Sequence, residues 1–321
     1  MAKNKIDRHR WGLIYCPRLG SLSPRKRWRE IREYLKEKHV EYDCIQSEDY
    51  SSLERQAKML ADNGYETIVV VGGDGALQDV INGIMASENY SKVSLGIIPN
   101  GIANDYASYW RLSVKDYKAA VDCIITHRVR KVDVGCCSFA GENGEQKRFF
   151  LNVLNIGLTA RVVEIANQKR FLFAKLGSIV RGLFQLLFFR QSYKMRFKLN
   201  NQLVDKNFMM LCVGNSRGYG MTPSAVPYNG WLDVSAIKMS KFFGMIEGLI
   251  MVYRRKIMNY ELMEPFRTTE INIEDVGEAH VGIDGRMFYP SFPMKVTIIP
   301  EAINLIIPTK IMQTGKKRGA V

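Results

Sequence analysis

No stretch of this sequence runs for about 18 apolar residues without interruption, so no membrane-spanning helix is expected. Residues 1–10 are polar and basic, without the apolar core of a secretory signal. The six cysteines (Cys16, Cys44, Cys123, Cys136, Cys137, Cys212) lack metal-ligand spacing. The adjacent pair Cys136-Cys137 suits neither a structural zinc nor a simple disulfide, so reduced thiols in a cytoplasmic setting are expected. Zinc-finger, helix-turn-helix and RNP-like patterns are missing as well, which argues against nucleic acid as a partner.

What is present is a basic chain of 321 residues. Lysine and arginine number 46 against 32 acidic residues, giving a formal charge of +14. Such a balance draws anionic lipid or polyanionic substrates. The hydrophobic fraction of 46% supports a sizeable core in one large or two ordinary domains.

The stretch 67–105 organises the chain. Thr67-Ile68-Val69-Val70-Val71 is a short β-branched run that reads as a buried strand. Gly72, Gly73, Asp74 and Gly75 follow, and residues 76–85 carry Leu77, Val80, Ile81, Ile84 and Met85 at helical spacing. Glycines at this turn let a ligand approach the main chain, and a helix start aims N–H groups and a positive dipole end at it, as phosphate requires. Asp74 would repel a phosphate unless a cation lies between them, which suggests Mg²⁺. Taken alone, the turn also reads as an ordinary tight βα connection. A second apolar strand, 94–99, runs into Asn100-Gly101-Ile102-Ala103-Asn104-Asp105-Tyr106. Two glycine turns after neighbouring strands place two loops at the carboxyl edge of one parallel sheet, where open α/β sheets bind ligands.

Gly72-Gly73-Asp74-Gly75 with Pro99-Asn100-Gly101-Ile102-Ala103-Asn104-Asp105-Tyr106 resembles the diacylglycerol kinase catalytic-domain family, which includes soluble bacterial lipid kinases and the sphingosine and ceramide kinases. The family patterns are GGDGT and P-x-G-T-x-N-D-F. The first is shared with NAD kinases and phosphofructokinases, and the second favours lipid kinases. The resemblance covers roughly residues 10–308. It implies transfer of the γ-phosphate of ATP, with Mg²⁺, to the hydroxyl of a diacylglycerol-like or sphingoid lipid. It also implies a cytoplasmic enzyme peripheral to the inner membrane face, with an anionic membrane surface as partner; a homodimer is left open. Gly72, Gly73, Asp74, Gly75, Asn100, Gly101, Asn104 and Asp105 then fall at the nucleotide. Arg18 and Arg25 are nominated for its phosphates, although a solvated basic surface explains them equally.

Asp284, in Val281-Gly282-Ile283-Asp284-Gly285-Arg286, matches the family's D-G-E segment and becomes the candidate general base; from residues alone it reads as a hairpin Asp-Gly. Asn229 stands where the family has a metal-binding Asp, and an amide oxygen binds a hard cation more weakly than a carboxylate. The departures are Cys16 for Asn, Ala76 and Ile102 for Thr, Asn229 for Asp, and Arg286 for Glu. Arg286 brings a positive charge beside the presumed base. These changes motivate one alternative, a catalytically weakened or inactive relative that binds nucleotide or lipid; a further one is a soluble NAD-kinase-type enzyme, against which the second motif argues.

The remaining pattern predicts a parallel three-layer α/β nucleotide-binding domain over 1–130, built as βαβαβαβ from strands at 11–16, 40–46, 67–71 and 94–99 with helices at 24–38 and 51–63. A helix at 115–126 closes it. Strands at 129–137, 148–156, 193–199, 208–214, 231–239, 269–274 and 294–307, with hairpin turns at Asn143-Gly144 and Asn200-Asn201, predict an antiparallel β-sandwich lipid-substrate domain over 131–309. The last strand is expected to return to the first domain, and 310–321 is a basic tail. Residues 171–190 form an apolar element with Lys175, Arg181 and Arg190, suited either to burial or to an anionic bilayer. A second helix is expected at 241–255.

Overall fold

The computed structural model describes residues 10–17, 22–47, 52–142, 144–168, 191–254 and 256–309. The expectations for Arg18, Asn143, the element at 171–190 and the tail at 310–321 fall outside them. The chain divides into two compact units, Met1–Val132 with Glu301–Val321, and Asp133–Pro300.

The first unit is a parallel sheet clothed by helices. Strands β1 (Trp11–Tyr15), β2 (Tyr42–Gln46), β3 (Thr67–Gly72) and β4 (Ser94–Pro99) alternate with helices α1 (Leu22–Glu37), α2 (Ser52–Asp62) and α3 (Asp74–Met85). The strand order is β2-β1-β3-β4, all parallel. The step from β1 to β2 runs one way along the sheet and the steps to β3 and β4 run back. Right-handed crossovers therefore put α1 on one face and α2 with α3 on the other. Helix α4 (Asp105–Tyr109) and helix α5 (Tyr117–Thr126) follow β4, and α5 packs with α1. Every residue of β1, β3 and β4 is buried, as expected of strands covered on both faces.

The second unit is an antiparallel sandwich. One sheet has the order β12-β11-β10-β7-β14-β15, from Met263–Thr268, Leu232–Ile237, Met210–Gly214, Val153–Gly157, Val281–Ile283 and Arg286–Phe288. Facing it are β8 (Tyr193–Leu199), β9 (Gln202–Phe208), β13 (Glu270–Asp275) and the start of β16 (Met294–Ile306), with a hairpin of β5 (Val129–Gly141) and β6 (Gly144–Phe150). Strand β8 alternates strictly, burying Tyr193, Met195, Phe197 and Leu199 while Lys194, Arg196 and Lys198 face water. The core joins Phe197, Phe208, Ile271 and Met294 to Leu154, Leu211, Val213 and Val234 across the two sheets. Among the described residues of this unit the α-helices are α6 (Leu158–Gln168) and α7 (Phe242–Tyr253). Strand β16 ends in the first unit, where Asn304 and Leu305 pair in parallel with Ser94 and Leu95.

Several expectations are corrected. The strand expected at 148–156 is two, β6 and β7, broken at Leu151 and Asn152 because their N–H groups turn to the Asp284 carboxylate. The strand expected at 208–214 is likewise the end of β9 and all of β10, with the Met209 N–H turned to the Ile237 carbonyl. Strand β12 was not expected: it contains Pro265, which an edge strand tolerates and an interior one does not. The Asn200-Asn201 turn is present, both residues having positive φ, 49° and 62°.

The α2–α3 contact depends on one glycine. A Cβ on Gly83 would lie 2.1 Å from the Glu54 carbonyl oxygen and 2.8 Å from the Ala57 Cβ. Alanine would add about 1 kcal/mol of helix propensity, but intrusion on backbone costs more. Gly83→Ala is expected to lower stability by about 2 kcal/mol in urea unfolding; an unchanged midpoint would show that the helices part without cost.

Candidate functional site

In the first unit the two sequence motifs form one structure. Gly72 and Pro99 are register partners, and the Asn100 N–H extends the pairing by donating to the Gly72 carbonyl at 2.7 Å. Beyond them the loops meet backbone on backbone. A Cβ on Gly101 would stand 2.5 Å from the Gly73 Cα, and one on Gly73 would stand 2.9 Å from the Gly101 Cα. Neither position accepts a side chain. Asn104 holds the second loop from within, in the left-handed region at φ 49°, with its Oδ1 accepting the Gly101 N–H at 2.9 Å.

Helix α3 starts earlier than its apolar spacing suggests, with Asp74 as its first residue, because Gly73 serves as N-cap. Gly73 brings no side chain to cap the first turn, so the helix start keeps its dipole end for a ligand. The Asp74 carboxylate turns inward, 8% exposed. It accepts the N–H of Asp105 at 3.1 Å and of Tyr106 at 3.2 Å, capping α4 from the other loop. Burial pushes its carboxyl up to about 6, against those two N–H groups, which favour the charged form.

Arg27 joins this cluster, although sequence reasoning nominated its neighbours. Its Nη1 donates to the Asn100 Oδ1 at 3.0 Å. The ring of Trp28 stacks on Tyr15 with centroids 4.4 Å apart, fixing this part of α1 over the end of β1. Arg25 lies on α1 with its side chain outside the described residues. The Nδ2 of Asn100, a buried residue, has no hydrogen-bond partner among the described residues. A Cβ on Gly72 would stand 2.7 Å from the Ala76 Cβ, so Gly72 must stay bare, and Ile102 projects into solvent.

In the second unit Asp284 occupies the two-residue turn between β14 and β15, with φ 44°, followed by Gly285 at φ 82°. The turn is thus the hairpin Asp-Gly of the residue-level reading, and the side chain does more than turn the chain. The carboxylate is 3% exposed and accepts three successive N–H groups: Leu151 at 2.8 Å, Asn152 at 3.1 Å and Val153 at 2.7 Å. The junction continues through residues that sequence reasoning missed. Asn215 Nδ2 donates to the carbonyls of Leu151 and Asp133, and Asn152 Oδ1 accepts the Gly218 N–H. The buried Asp133 carboxylate takes the Gly230 N–H at 2.7 Å. Their signal was polar side chains inside apolar runs, as in Leu151-Asn152-Val153 and Gly214-Asn215-Ser216. Arg286 opens β15 opposite Ile283.

Neither nominated metal ligand presents an idle oxygen. The exposed Asn229 uses its Oδ1 to accept the Trp231 N–H at 3.0 Å, and both Asp74 oxygens accept N–H groups. Among the described residues no group of three His, Cys, Asp or Glu is placed to hold a metal ion. A resident ion in a protein cage does not fit; an ion carried by phosphates and touched by one or two carboxylates does.

The chain thus combines a parallel α/β unit carrying two glycine loops at the carboxyl ends of adjacent strands with an antiparallel sandwich. Two family profiles cover the chain: diacylglycerol kinase catalytic domain over residues 10–137, and YegS C-terminal NAD kinase β-sandwich-like domain over 152–307. The chain belongs to the diacylglycerol kinase catalytic-domain family. It is similar to a diacylglycerol kinase of Staphylococcus haemolyticus, 23% identical over 278 residues, covering 85% of this chain and 81% of that one. It is also similar to a Bacillus subtilis diacylglycerol kinase, 21% identical over 85% of this chain and 88% of that one. A crystal structure of a diacylglycerol kinase from Bacillus anthracis shares the fold, with TM-score 0.70 at 19% identity over 94% of this chain and 98% of that one. Yeast NADH kinase shares it more distantly, with TM-score 0.50 at 10% identity over 97% of this chain and 90% of that one.

The burial of Asp74 has a measurable consequence. An unfolded carboxyl ionises near its ordinary 3.8 and the folded one at about 6, so between these values the folded chain holds a proton that the unfolded chain has released. Stability from this group is therefore greatest below the window and is lost as pH rises through it, by about 3 kcal/mol. Wild type and Asp74→Asn are to be compared by urea unfolding at pH 4.5 and 7.5. The variant is expected to lose this component of the slope; equal slopes would refute the assignment.

Proposed function

We propose that this chain is an ATP-dependent lipid kinase that transfers the γ-phosphate to a lipid hydroxyl of the diacylglycerol or sphingoid class. The observation that carries the reading is the backbone contact of Gly73 and Gly101 at the start of α3, in a chain whose family consists of kinases. Loops without side chains let the phosphates of a nucleotide reach main-chain N–H groups and the α3 dipole. Asn104 and Asp74 keep those loops in place, and Arg27 supplies positive charge on the α1 side. Mg²⁺ enters with the nucleotide, offsetting phosphate charge next to Asp74 and the half-buried Asp105. Asn229 contributes an amide oxygen at most.

Asp284 is the residue proposed to orient or deprotonate the lipid hydroxyl. In this reading the three N–H groups fix the carboxylate as a positioned base. The same contacts favour a second reading, in which Asp284 is an anchor for the start of β7 and the chain binds nucleotide or lipid without turnover. The enzyme would work at the cytoplasmic face of a membrane, where such lipids reside.

The test is transfer of radiolabelled γ-phosphate from ATP to diacylglycerols and sphingoid bases in mixed micelles with Mg²⁺. Labelled lipid is expected with wild type, and a loss on the order of 10²–10⁴-fold with Asp284→Asn, ATP binding being retained. Thermal unfolding must accompany it, because Asn leaves one N–H facing an amide NH₂, at a cost of about 1–3 kcal/mol. No labelled lipid despite nucleotide binding, or full turnover in the variant, would favour the second reading or remove Asp284 from the chemistry.

A further inference from the structure

Helix α7 turns outward the residue types that a surface helix normally turns inward. On its inner side Gly244 and Gly248 lie against Tyr260, whose hydroxyl donates to the Gly244 carbonyl at 2.8 Å, while Met245, Met251 and Val252 pack on the core beneath. Met245 is its one fully buried residue. On the outer side Phe243 is 81% and Tyr253 90% exposed, with Leu249 and Ile250 exposed between them. Phe243, Ile246, Ile250 and Tyr253 are spaced by three and four and share one face. Glu247 is the only charged residue within the helix.

A helix apolar on all sides is ordinarily covered, and a contiguous exposed apolar face marks an interaction site. Charge identifies the partner. Lys241 precedes the helix, Arg254 and Lys256 follow it, and all three are exposed. A groove of about 430 Å³ lies against this helix, lined by Phe243, Ile246, Ile250 and Met251, where the cations Arg254 and Lys256 outnumber the one carboxylate, Glu247. Apolar walls with an excess of cations match acyl chains beneath anionic headgroups. Aromatic side chains near both helix ends match the polarity gradient of a bilayer surface. A second copy of the same face would bring further cations to a basic chain of net charge +14.

We propose that the outer face of α7 docks on an anionic lipid bilayer, Phe243, Ile250 and Tyr253 entering the boundary between headgroups and acyl chains while Lys241, Arg254 and Lys256 meet lipid phosphates. The proposal rests on the lipid-kinase reading for the purpose of docking, but the docking is measured without turnover.

The experiment is co-sedimentation of the full chain with vesicles of phosphatidylglycerol and phosphatidylcholine, or of phosphatidylcholine alone. Wild type is expected to partition onto the anionic vesicles at least about tenfold more strongly. The pairs Phe243→Ser with Tyr253→Ser, and Arg254→Glu with Lys256→Glu, are each expected to weaken that partitioning about tenfold or more, with unchanged unfolding temperature because these side chains face solvent. In Tyr253→Trp, lipids with brominated acyl chains should quench fluorescence beyond the quenching seen in wild type. Wild type that ignores anionic vesicles, variants that bind as wild type does, or a dimer that the Phe243 and Tyr253 changes dissociate would each overturn the proposal. Docking lost in the variants, with no phosphate transferred by wild type, upholds the docking and sinks the kinase reading. Transfer by wild type with α7-independent binding does the reverse.

Discussion

The contact between Gly73 and Gly101 is the constraint on which the first unit's site depends. It brings two loops, each following its own strand, to the distance of bare main chain. Everything near it preserves that distance. Asn104 adopts a left-handed conformation to bond the Gly101 N–H, and Asp74 reaches from one loop to the N–H groups of the other. Burial of the Asp74 carboxyl costs more than its two hydrogen bonds return, since its ionisation is displaced upward to about 6. The structure thus accepts an electrostatic cost to hold two loops together, a form of stored strain expected at a functional site and hard to justify in a plain βα turn.

The second unit solves a similar problem with the opposite economy. Asp284 receives three N–H groups from successive residues, and their convergence both ends β6 and starts β7. Its neighbours Asn152 and Asn215 satisfy loop carbonyls and amides that a sheet ladder leaves over. A carboxylate so held is fixed in position whatever it contacts, because none of its rotamers can change without releasing buried donors.

Much of this was legible from residue order. The βαβ alternation, the two glycine motifs and the switch to antiparallel strands all follow from short-range periodicity, and short-range periodicity is what a sequence displays. Long-range polar contacts are what it hides. Nothing local indicates that Leu151 and Asn152 give up strand pairing to a residue more than a hundred positions away, or that Arg27 reaches Asn100. Strand β12 was concealed by Pro265, whose acceptability depends on being at a sheet edge, a property of the finished sheet. The exposure of α7 was hidden too: its sequence is apolar nearly all round, and only the position of Tyr260 against its glycines and the core packing of Met245 show which side is covered.

Strand β16 gives the α/β unit an unusual history during synthesis. The partner that β4 meets at Ser94 and Leu95 is carried at Asn304 and Leu305, and Arg128 receives its hydrogen bond from Ile307. Some two hundred residues separate the two sides of that seam. A nascent chain emerging from the ribosome therefore finishes β4 long before anything can pair with its outer edge. The α/β unit, first to be made, is the last to be sealed, and until then the wholly buried strand β4 presents an open edge of the kind that chaperones recognise and aggregates exploit.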